Sequence, residues 1–458
     1  MGRLFGTNGV RGILNKTITI DTLIRLGYAI GTFFKGGRIL VGMDGRVGSP
    51  VAKTATISGL LATGCEVLDA GLAPTPTIQY DARFNDVDGC VIFTASHNPP
   101  EYIGIKVCGP DGVEIQREDE EKIESIFFEG KYNLVGWNMV GRVRGIVGSI
   151  ERYVEAVVKH VDRESIARNR YRVVVDLGNG VSALTIPYIL RFLKCEVYTI
   201  NDHIDGFFPG RSPEPSEENL GMLIKAVKAF DADLGVAYDG DGDRAIFVDE
   251  NGVFHHGDRS LALIEDYVME VKPGATLVTP VSTSQIVDDV AKMRGGKVMR
   301  VRVGSVDVSW TMKRLNAELG GEENGGIFYG PHQPVRDGGM ATALILHILA
   351  TRGESLSETL SKLPAYYMVK RKVSLKEEVK SRLLSIIEEK IKGEGERVEK
   401  IDGLKVWFND GSWILIRPSG TEPLYRIIAE ARSYERAERL AEEYSRFIVE
   451  TMKELASS

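Results

Sequence analysis

Apolar and polar positions along the chain fall into a phrase that is written three times. RILVGMDGR (38–46), YRVVVDLGNG (171–180) and ATLVTPVSTS (275–284) each run an apolar, mostly β-branched stretch into a loop of small and polar residues. A helix-length stretch follows each, then a second strand opened by a related phrase: GCEVLDAG, KCEVYTIN and GGKVMRVRVG. The pattern predicts strand, loop, helix and strand three times over, giving an α/β fold of three related modules with mostly parallel sheets. Coincidence is the competing account, because βαβ units share composition without sharing ancestry. Each module then presents one further polar loop, in DGCVIFTASHNP (88–99), ADLGVAYDGDGDR (232–244) and GGEENGG (320–326). Ligands gather at such loops in open α/β sheets.

From about residue 366 the pattern changes. A charged helical segment, LKEEVKSRLLSIIEEKIK, precedes GLKVWFNDGSWILIRPSGTEPLYRIIAEA and a terminal amphipathic stretch, YERAERLAEEYSRFIVETMKEL. Asn409-Asp410-Gly411 is a strong hairpin signal, so a smaller C-terminal α+β domain is expected, with one more loop at RPSGTEP (417–423).

Composition sets outer bounds. The 458 residues are too many for one core and predict about three or four domains. A net charge of −7 argues against nucleic acid as a partner, so an anionic ligand would need locally concentrated Arg and Lys. Cys65, Cys90, Cys108 and Cys195 show no CxxC spacing and read as buried apolar residues. The opening MGRLFGTNGVRG has no apolar signal region, and no run reaches about 18 apolar residues. A cytoplasmic protein with no membrane partner is expected, and homo-oligomerisation is left open.

The loops carry the candidate chemistry. In DGDGDR (239–244) three carboxylates, Asp239, Asp241 and Asp243, alternate with glycine and repel one another unless a cation sits among them. A plain acidic turn is the simpler alternative. A calcium EF-hand fails at its sixth position, where glycine is needed and Arg244 stands. It fails also on the flanks, since LGVAY and AIFV read as strands and DENG (249–252) as a hairpin turn. The expectation is a strand, a metal loop and a second strand, with Mg²⁺ favoured over Ca²⁺ because few carboxylates are supplied and open positions remain.

TASHNP (94–99) places Ser96 beside His97 after an apolar strand, either as a turn or cap residue or as a reactive hydroxyl. A Ser/His/Asp protease is disfavoured by the lack of a GxSxG elbow. Lys106 is near enough in sequence to bring positive charge to that hydroxyl. In RPSGTEP, Arg417, Ser419, Gly420 and Thr421 combine a guanidinium, two hydroxyls and N–H groups around a permissive glycine, the makings of a phosphate nest. An ordinary tight connection is the alternative there. Glu322 and Asn324, on a glycine-freed backbone, could accept from and donate to neighbouring hydroxyls of a sugar.

Taken together, TASHNP, DGDGDR, GGEENGG and RPSGTEP, in this order and one per domain, resemble the α-D-phosphohexomutase superfamily, and within it the archaeal phosphoglucomutase/phosphomannomutase and phosphoglucosamine mutase branch. The resemblance runs from FGTNGVRG (5–12) to the phosphate loop. It implies four domains around a central cleft: 1–150 with the phosphoserine loop, 151–254 with the metal loop, 255–365 with the sugar loop and 366–458 with the phosphate loop. It further implies that Ser96 carries a phosphoryl group and, with Asp239, Asp241 and Asp243, binds Mg²⁺. Glu322 and Asn324 would hold sugar hydroxyls, Arg417, Ser419, Gly420 and Thr421 the non-reacting phosphate, and Arg11, Lys106 and Arg244 would surround the reacting one. His97 and Lys106 are the candidates for acid/base work. The implied activity is interconversion of hexose 1-phosphates and 6-phosphates, of glucose or mannose, through phosphoserine and a sugar 1,6-bisphosphate that is both intermediate and activator. A phosphoglucosamine mutase and a non-catalytic sugar-phosphate-binding regulator are the alternatives. Two positions depart from common patterns: Gly326 stands where many bacterial relatives have the histidine of GExSGH, and Ile103 where NGIK is common.

Overall fold

The three repeated phrases become three sheets with the same wiring. A computed structural model describes residues 4–6, 8–374, 380–390, 395–419 and 424–457. The first sheet contains β1 (Val10–Ile13), β2 (Arg38–Met43), β3 (Glu66–Leu72), β4 (Gly89–Phe93), β5 (Tyr102–Cys108) and β6 (Val143–Gly145), in the order β1-β5-β4-β2-β3-β6. The second contains β7 (Arg172–Asp176), β8 (Glu196–Ile200), β9 (Leu234–Tyr238), β10 (Ala245–Asp249) and β11 (Phe254–His255), in the order β11-β10-β9-β7-β8. The third contains β12 (Thr276–Pro280), β13 (Lys297–Val301), β14 (Leu319–Gly321) and β15 (Ile327–Tyr329), in the order β13-β12-β14-β15. In each, the first strand of the phrase pairs in parallel with the strand that closes it and with a third, which then turns back as an antiparallel hairpin. TASHNP, DGDGDR and EENG are therefore the same structural element: the hairpin connection after the third strand of each module.

Continuous apolar runs are explained by burial of both sheet faces. Along β2 and β4, Ile39, Val41, Val91 and Phe93 join one core with the helices Ile20–Phe33 and Ser49–Ala62. Leu40, Cys90 and Ile92 join another with the helix Thr75–Ala82 on the opposite face. The first two helices touch backbone to backbone, since a Cβ on Gly59 would lie 2.3 Å from the Ile24 carbonyl oxygen. All four cysteines are free and buried, as expected.

The helix Gly338–Arg352 is apolar on nearly every side, and Met340, Ala341, Ala343, Leu344, Ile345, Leu346, Ile348 and Leu349 are all buried. Such a helix needs apolar neighbours all round. It finds them in a single core that runs from Tyr153 to Leu363 and joins the second module to the third.

The C-terminal α+β domain is antiparallel throughout its sheet: β16 (Tyr367–Ser374), β17 (Arg397–Glu399), β18 (Leu404–Trp407), β19 (Trp413–Pro418) and β20 (Leu424–Ala431), ordered β16-β20-β19-β18-β17. The Asn409-Asp410-Gly411 turn joins β18 to β19, with Gly411 at φ 76°. Ile414 and Ile416 face the helices Lys380–Lys390 and Tyr434–Ser457, whereas Trp413 and Leu415 face the third module at Val281. The Lys405 Nζ, caged 3.7 Å from the Trp413 ring centre, donates to the Val281 carbonyl at 2.9 Å. The edge strand β16 carries a charged, largely exposed pattern, YMVKRKVS, which conceals it from hydrophobic periodicity. Among the described residues no helix is long and apolar enough to cross a membrane.

Candidate active site

Ser96 leaves the end of β4 in the left-handed region, with φ 52°, a conformation that a non-glycine residue adopts only when its surroundings enforce it. The enforcement is visible. Its N–H donates to the Thr94 hydroxyl at 2.9 Å, and its carbonyl accepts from Arg46 Nη2 at 2.5 Å. Arg46 also donates to the carbonyls of Asn98 and Pro99, and Asp44 orients it through Nε at 3.1 Å. One buried guanidinium thus holds the serine loop by its backbone. This role belongs to Asp44-Gly45-Arg46 at the end of the first repeated phrase, and the paired charges in that short loop were the available signal. In the second module Arg211, held by Asp176 at 2.8 Å, donates to the Tyr238 carbonyl at 2.7 Å and braces the strand end that leads into the acidic loop.

The Ser96 side chain, fully buried, donates to Asp239 Oδ2 at 2.8 Å and lies 3.5 Å from His97 Nδ1. Asp239, Asp241 and Asp243 are also buried, and each offers a carboxylate oxygen within 4.8 Å of the others. Burial, with Asp243 and Asp241 alongside, pushes the Asp239 carboxyl well above its usual range. Burial acts in the same direction on Asp241, but Lys106 and the Thr75 hydroxyl, at 2.6 Å, prevail and hold it below. Asp241 Oδ1 and Asp243 Oδ1 are buried without a hydrogen-bond partner. Desolvated carboxylate oxygens without hydrogen-bond donors, in a triad whose carboxylates approach within 4.8 Å of one another, fit a divalent cation.

The cations surround this cluster. Lys106 is only 2% exposed. Its Nζ lies 3.0 Å from Asp243 and 3.2 Å from Asp241, with Glu114 at 3.9 Å. Burial opposes its charge, yet the three carboxylates outweigh that and hold its pKa above the usual lysine range. An ammonium so held is a fixed counter-charge and not a proton acceptor near neutral pH. Burial, then the charges of Arg244, Arg11 and Arg336, hold the His97 imidazole well below its usual range and therefore neutral. Arg11, on β1, donates to Asn98 Oδ1 at 2.7 Å, and burial lowers its pKa to about 10. The Arg244 amide donates to Asp239 Oδ1 at 3.2 Å while its guanidinium reaches Glu214 at 3.5 Å. Glu214 also faces His97 Nε2, at 3.7 Å. It was not anticipated, lying in a loop, SPEPSEEN, that reads as a solvated acidic turn.

Glu322 stands next to this cluster, 4% exposed, and burial raises its pKa against the pull of Arg336 and Arg244. Its partner is Arg336, 3.3 Å away, whose other arm reaches Asp243 at 2.8 Å. Asn324 shapes the loop by accepting from the Gly326 amide at 3.1 Å. The Ala245 amide, just past the acidic loop, donates to the Gly325 carbonyl at 3.1 Å and joins the two hairpins edge to edge.

Three of the four expected loops therefore meet. The fourth is described in part: the Arg417 guanidinium is tied at 2.5 Å to Asp402, which also accepts from the Val303 amide of the third module. Ser419 is buried and its amide donates to the Leu424 carbonyl at 2.9 Å. Gly420 and Thr421 lie outside the described residues.

A fold of three repeated α/β modules and a smaller terminal domain, with hairpin loops converging on a serine, three aspartates and a ring of cations, defines a phosphoryl-transfer enzyme. The sequence matches phosphoglucomutase/phosphomannomutase alpha/beta/alpha domains I, II and III over residues 2–134, 151–252 and 256–367, and the C-terminal domain over 368–446. The chain belongs to the phosphoglucomutase/phosphomannomutase family within the α-D-phosphohexomutases, and is an isomerase of the mutase class. It is 45% identical to a phosphoglucomutase/phosphomannomutase of Thermococcus kodakarensis, covering 99% of this chain and 100% of that one. It is 43% identical to a phosphoglucosamine/phosphogalactosamine mutase of Sulfurisphaera tokodaii, over 98% of this chain and 99% of the relative. The crystal structure of a phosphoglucomutase/phosphomannomutase family protein from Burkholderia thailandensis superposes with a TM-score of 0.87 at 28% identity, covering 98% of this chain and 97% of that one.

Proposed function

We propose that this protein interconverts hexose 1-phosphate and hexose 6-phosphate, of glucose or mannose, through a phosphorylated Ser96 and a 1,6-bisphosphate that also serves as activator. The observation that carries the reading is the Ser96 hydroxyl set 2.8 Å from Asp239 among the cations Lys106, Arg11 and Arg244. In the cycle, phospho-Ser96 gives its phosphoryl group to the free hydroxyl of the sugar phosphate, and the bisphosphate turns round. Its other phosphoryl group then passes back to Ser96, so that every bond broken at one oxygen is formed at another. Positioning and neutralisation of charge supply most of the rate in such transfers.

Asp239, Asp241 and Asp243, with the Ser96 oxygen, are the residues that would hold Mg²⁺, and that ion would withdraw charge from the transferring group. The chain's own residues do the rest. Lys106 and Arg244 offset the negative charge that gathers around Ser96, and Arg11 steadies the loop through Asn98. His97 and Lys106 are the candidates for the proton transfer, but burial and the neighbouring arginines that keep His97 neutral also weaken it as a base, and Lys106 is held charged, so the step is assigned to neither. Glu322 and Asn324 hold hydroxyls present in both orientations of the bisphosphate, and Arg417, Ser419, Gly420 and Thr421 take the phosphate that is not reacting. The enzyme works in the cytoplasm on hexose phosphates.

Phosphoglucosamine is a second substrate reading, favoured by the near-equal identity to the phosphoglucosamine/phosphogalactosamine mutase. A coupled assay comparing glucose, mannose and glucosamine 1-phosphates, with intact-mass analysis of Ser96, tests both readings. Conversion of none of the three, with no phosphoryl group on Ser96 after incubation with a hexose bisphosphate, would end them.

A further inference from the structure

Gly326 closes the connection between β14 and β15, and nothing about its backbone demands glycine, for it is not among the residues with positive φ. What excludes a side chain there is another residue. A Cβ at 326 would sit 2.6 Å from Arg336 Cδ and 2.9 Å from its Cγ, closer than carbon atoms approach. Position 326 is empty of side chain because the arm of Arg336 runs through that space.

Arg336 is 5% exposed and leaves the chain immediately before the helix Gly338–Arg352. Its neighbour Asp337 fixes its origin. That carboxylate caps the helix by accepting from the Met340 amide at 2.9 Å and accepts from Gln333 at 2.8 Å, while the Asp337 amide donates to the Ile327 carbonyl at 2.8 Å. From this anchor the guanidinium spans two modules, with Nη2 2.8 Å from Asp243 Oδ2 and Nη1 3.3 Å from Glu322 Oε2. In the amide orientation that satisfies both its polar atoms, Asn8 of FGTNGVRG accepts from the same Nη2 at 2.7 Å, bringing in the first module. A planar two-armed cation can fix two carboxylates at a set separation, which an ammonium cannot.

We propose that Arg336 is a positioning residue of the reaction: it sets the Glu322 carboxylate at a fixed distance from the acidic triad, ready to accept from the sugar's hydroxyls, and Gly326 is the space its arm requires. The cation beside the sugar loop of this chain thus comes from the foot of a buried helix. The inference rests on the reading of Glu322 as the sugar-holding carboxylate.

The test is a double-mutant cycle between Gly326→Ala and Arg336→Ala, with Arg336→Lys as the conservative variant, assayed for conversion of glucose 1-phosphate and for Mg²⁺ binding by calorimetry. Arg336→Ala should raise KM about tenfold or more while kcat falls by less than about threefold, since a ground-state hydroxyl contact is being loosened. Mg²⁺ affinity should not fall, because a cation beside a metal ligand has been removed. Arg336→Lys keeps the charge without the fork and should stay near the alanine variant in KM. Gly326→Ala should reproduce the KM rise alone, yet add nothing in the Arg336→Ala background, where no arm remains to displace. The proposal is overturned if Arg336→Ala leaves KM within about twofold, if lysine restores it fully, or if the Gly326 and Arg336 effects simply multiply. Should Arg336→Ala fold poorly, the KM values of Gly326→Ala and Arg336→Lys are read singly, and a KM within about twofold of wild type in both would overturn the proposal. Failure of the wild type to convert any hexose phosphate would instead strike the parent reading.

Discussion

Ser96, at the hairpin tip of the first sheet, hydrogen-bonds to Asp239, at the equivalent tip of the second, with 2.8 Å between Oγ and Oδ2. Residues 143 positions apart meet because both sit where the third strand of a repeated module turns back. Replacing Ser96 with alanine deletes the group to which the phosphoryl is assigned. Turnover should fall by at least about a thousandfold, and intact-mass analysis should find no phosphoryl group on the variant. Wild-type turnover by Ser96→Ala would remove the covalent step.

Lys106 is the counter-ion of a buried carboxylate cluster. Lys106→Met leaves Asp241, Asp243 and Glu114 without it, and unfolding in urea without metal should show a loss of about 3–5 kcal/mol. Saturating Mg²⁺ should recover more stability in the variant than it adds to the wild type, since the ion then replaces the positive charge that Lys106 supplied to Asp241 and Asp243. Equal Mg²⁺ increments in both would show that Lys106 and the metal do not share these carboxylates.

The acidic triad also makes a prediction independent of activity. Binding of Mg²⁺ to the folded state alone should raise stability by about 2.7 kcal/mol at a hundred times Kd, read as a shift in Tm that EDTA reverses. Asp243→Asn should lose that increment. A Tm insensitive to Mg²⁺ and EDTA in the wild type would argue that the orphaned oxygens of Asp241 and Asp243 face something else.

Asp258, under the sugar loop, provides a pH signature. Burial, then the nearby Glu323, raises its pKa to about 7, while its Oδ1 accepts from the Ser284 amide at 3.0 Å. Unfolded, the group ionises near pH 3.9. Between about pH 4 and 7 the folded state therefore binds more protons, so its contribution is full below the unfolded pKa and is lost as pH rises through 7. Asp258→Asn keeps an acceptor for Ser284 and cannot ionise. It should be more stable than wild type at pH 8 by about 1–3 kcal/mol and close to it at pH 4.5, measured by urea unfolding. An equal difference at both pH values would place the cause elsewhere.

Local periodicity was enough to reveal strands such as β2, β7 and β12, because both faces of each sheet are covered and their runs are continuously apolar. The hairpin turns at DENG and Asn409-Asp410-Gly411 and the rejection of an EF-hand likewise followed from short-range backbone chemistry. Strand β16 was concealed by its exposed charges, and the boundary between the second and third modules is crossed by a shared core that no local pattern announces.

Residue types and spacing were sufficient to single out the three loops that meet, since carboxylates, hydroxyls and guanidinium groups act through properties each side chain carries anywhere. Which of them are partners was decided by packing between modules. Arg46 under the serine loop, Glu214 beside His97 and Arg336 between Asp243 and Glu322 act through contacts with residues distant in the chain. Such contacts depend on how whole sheets and helices come together, and a charge's partner, burial and pKa exist only after that assembly.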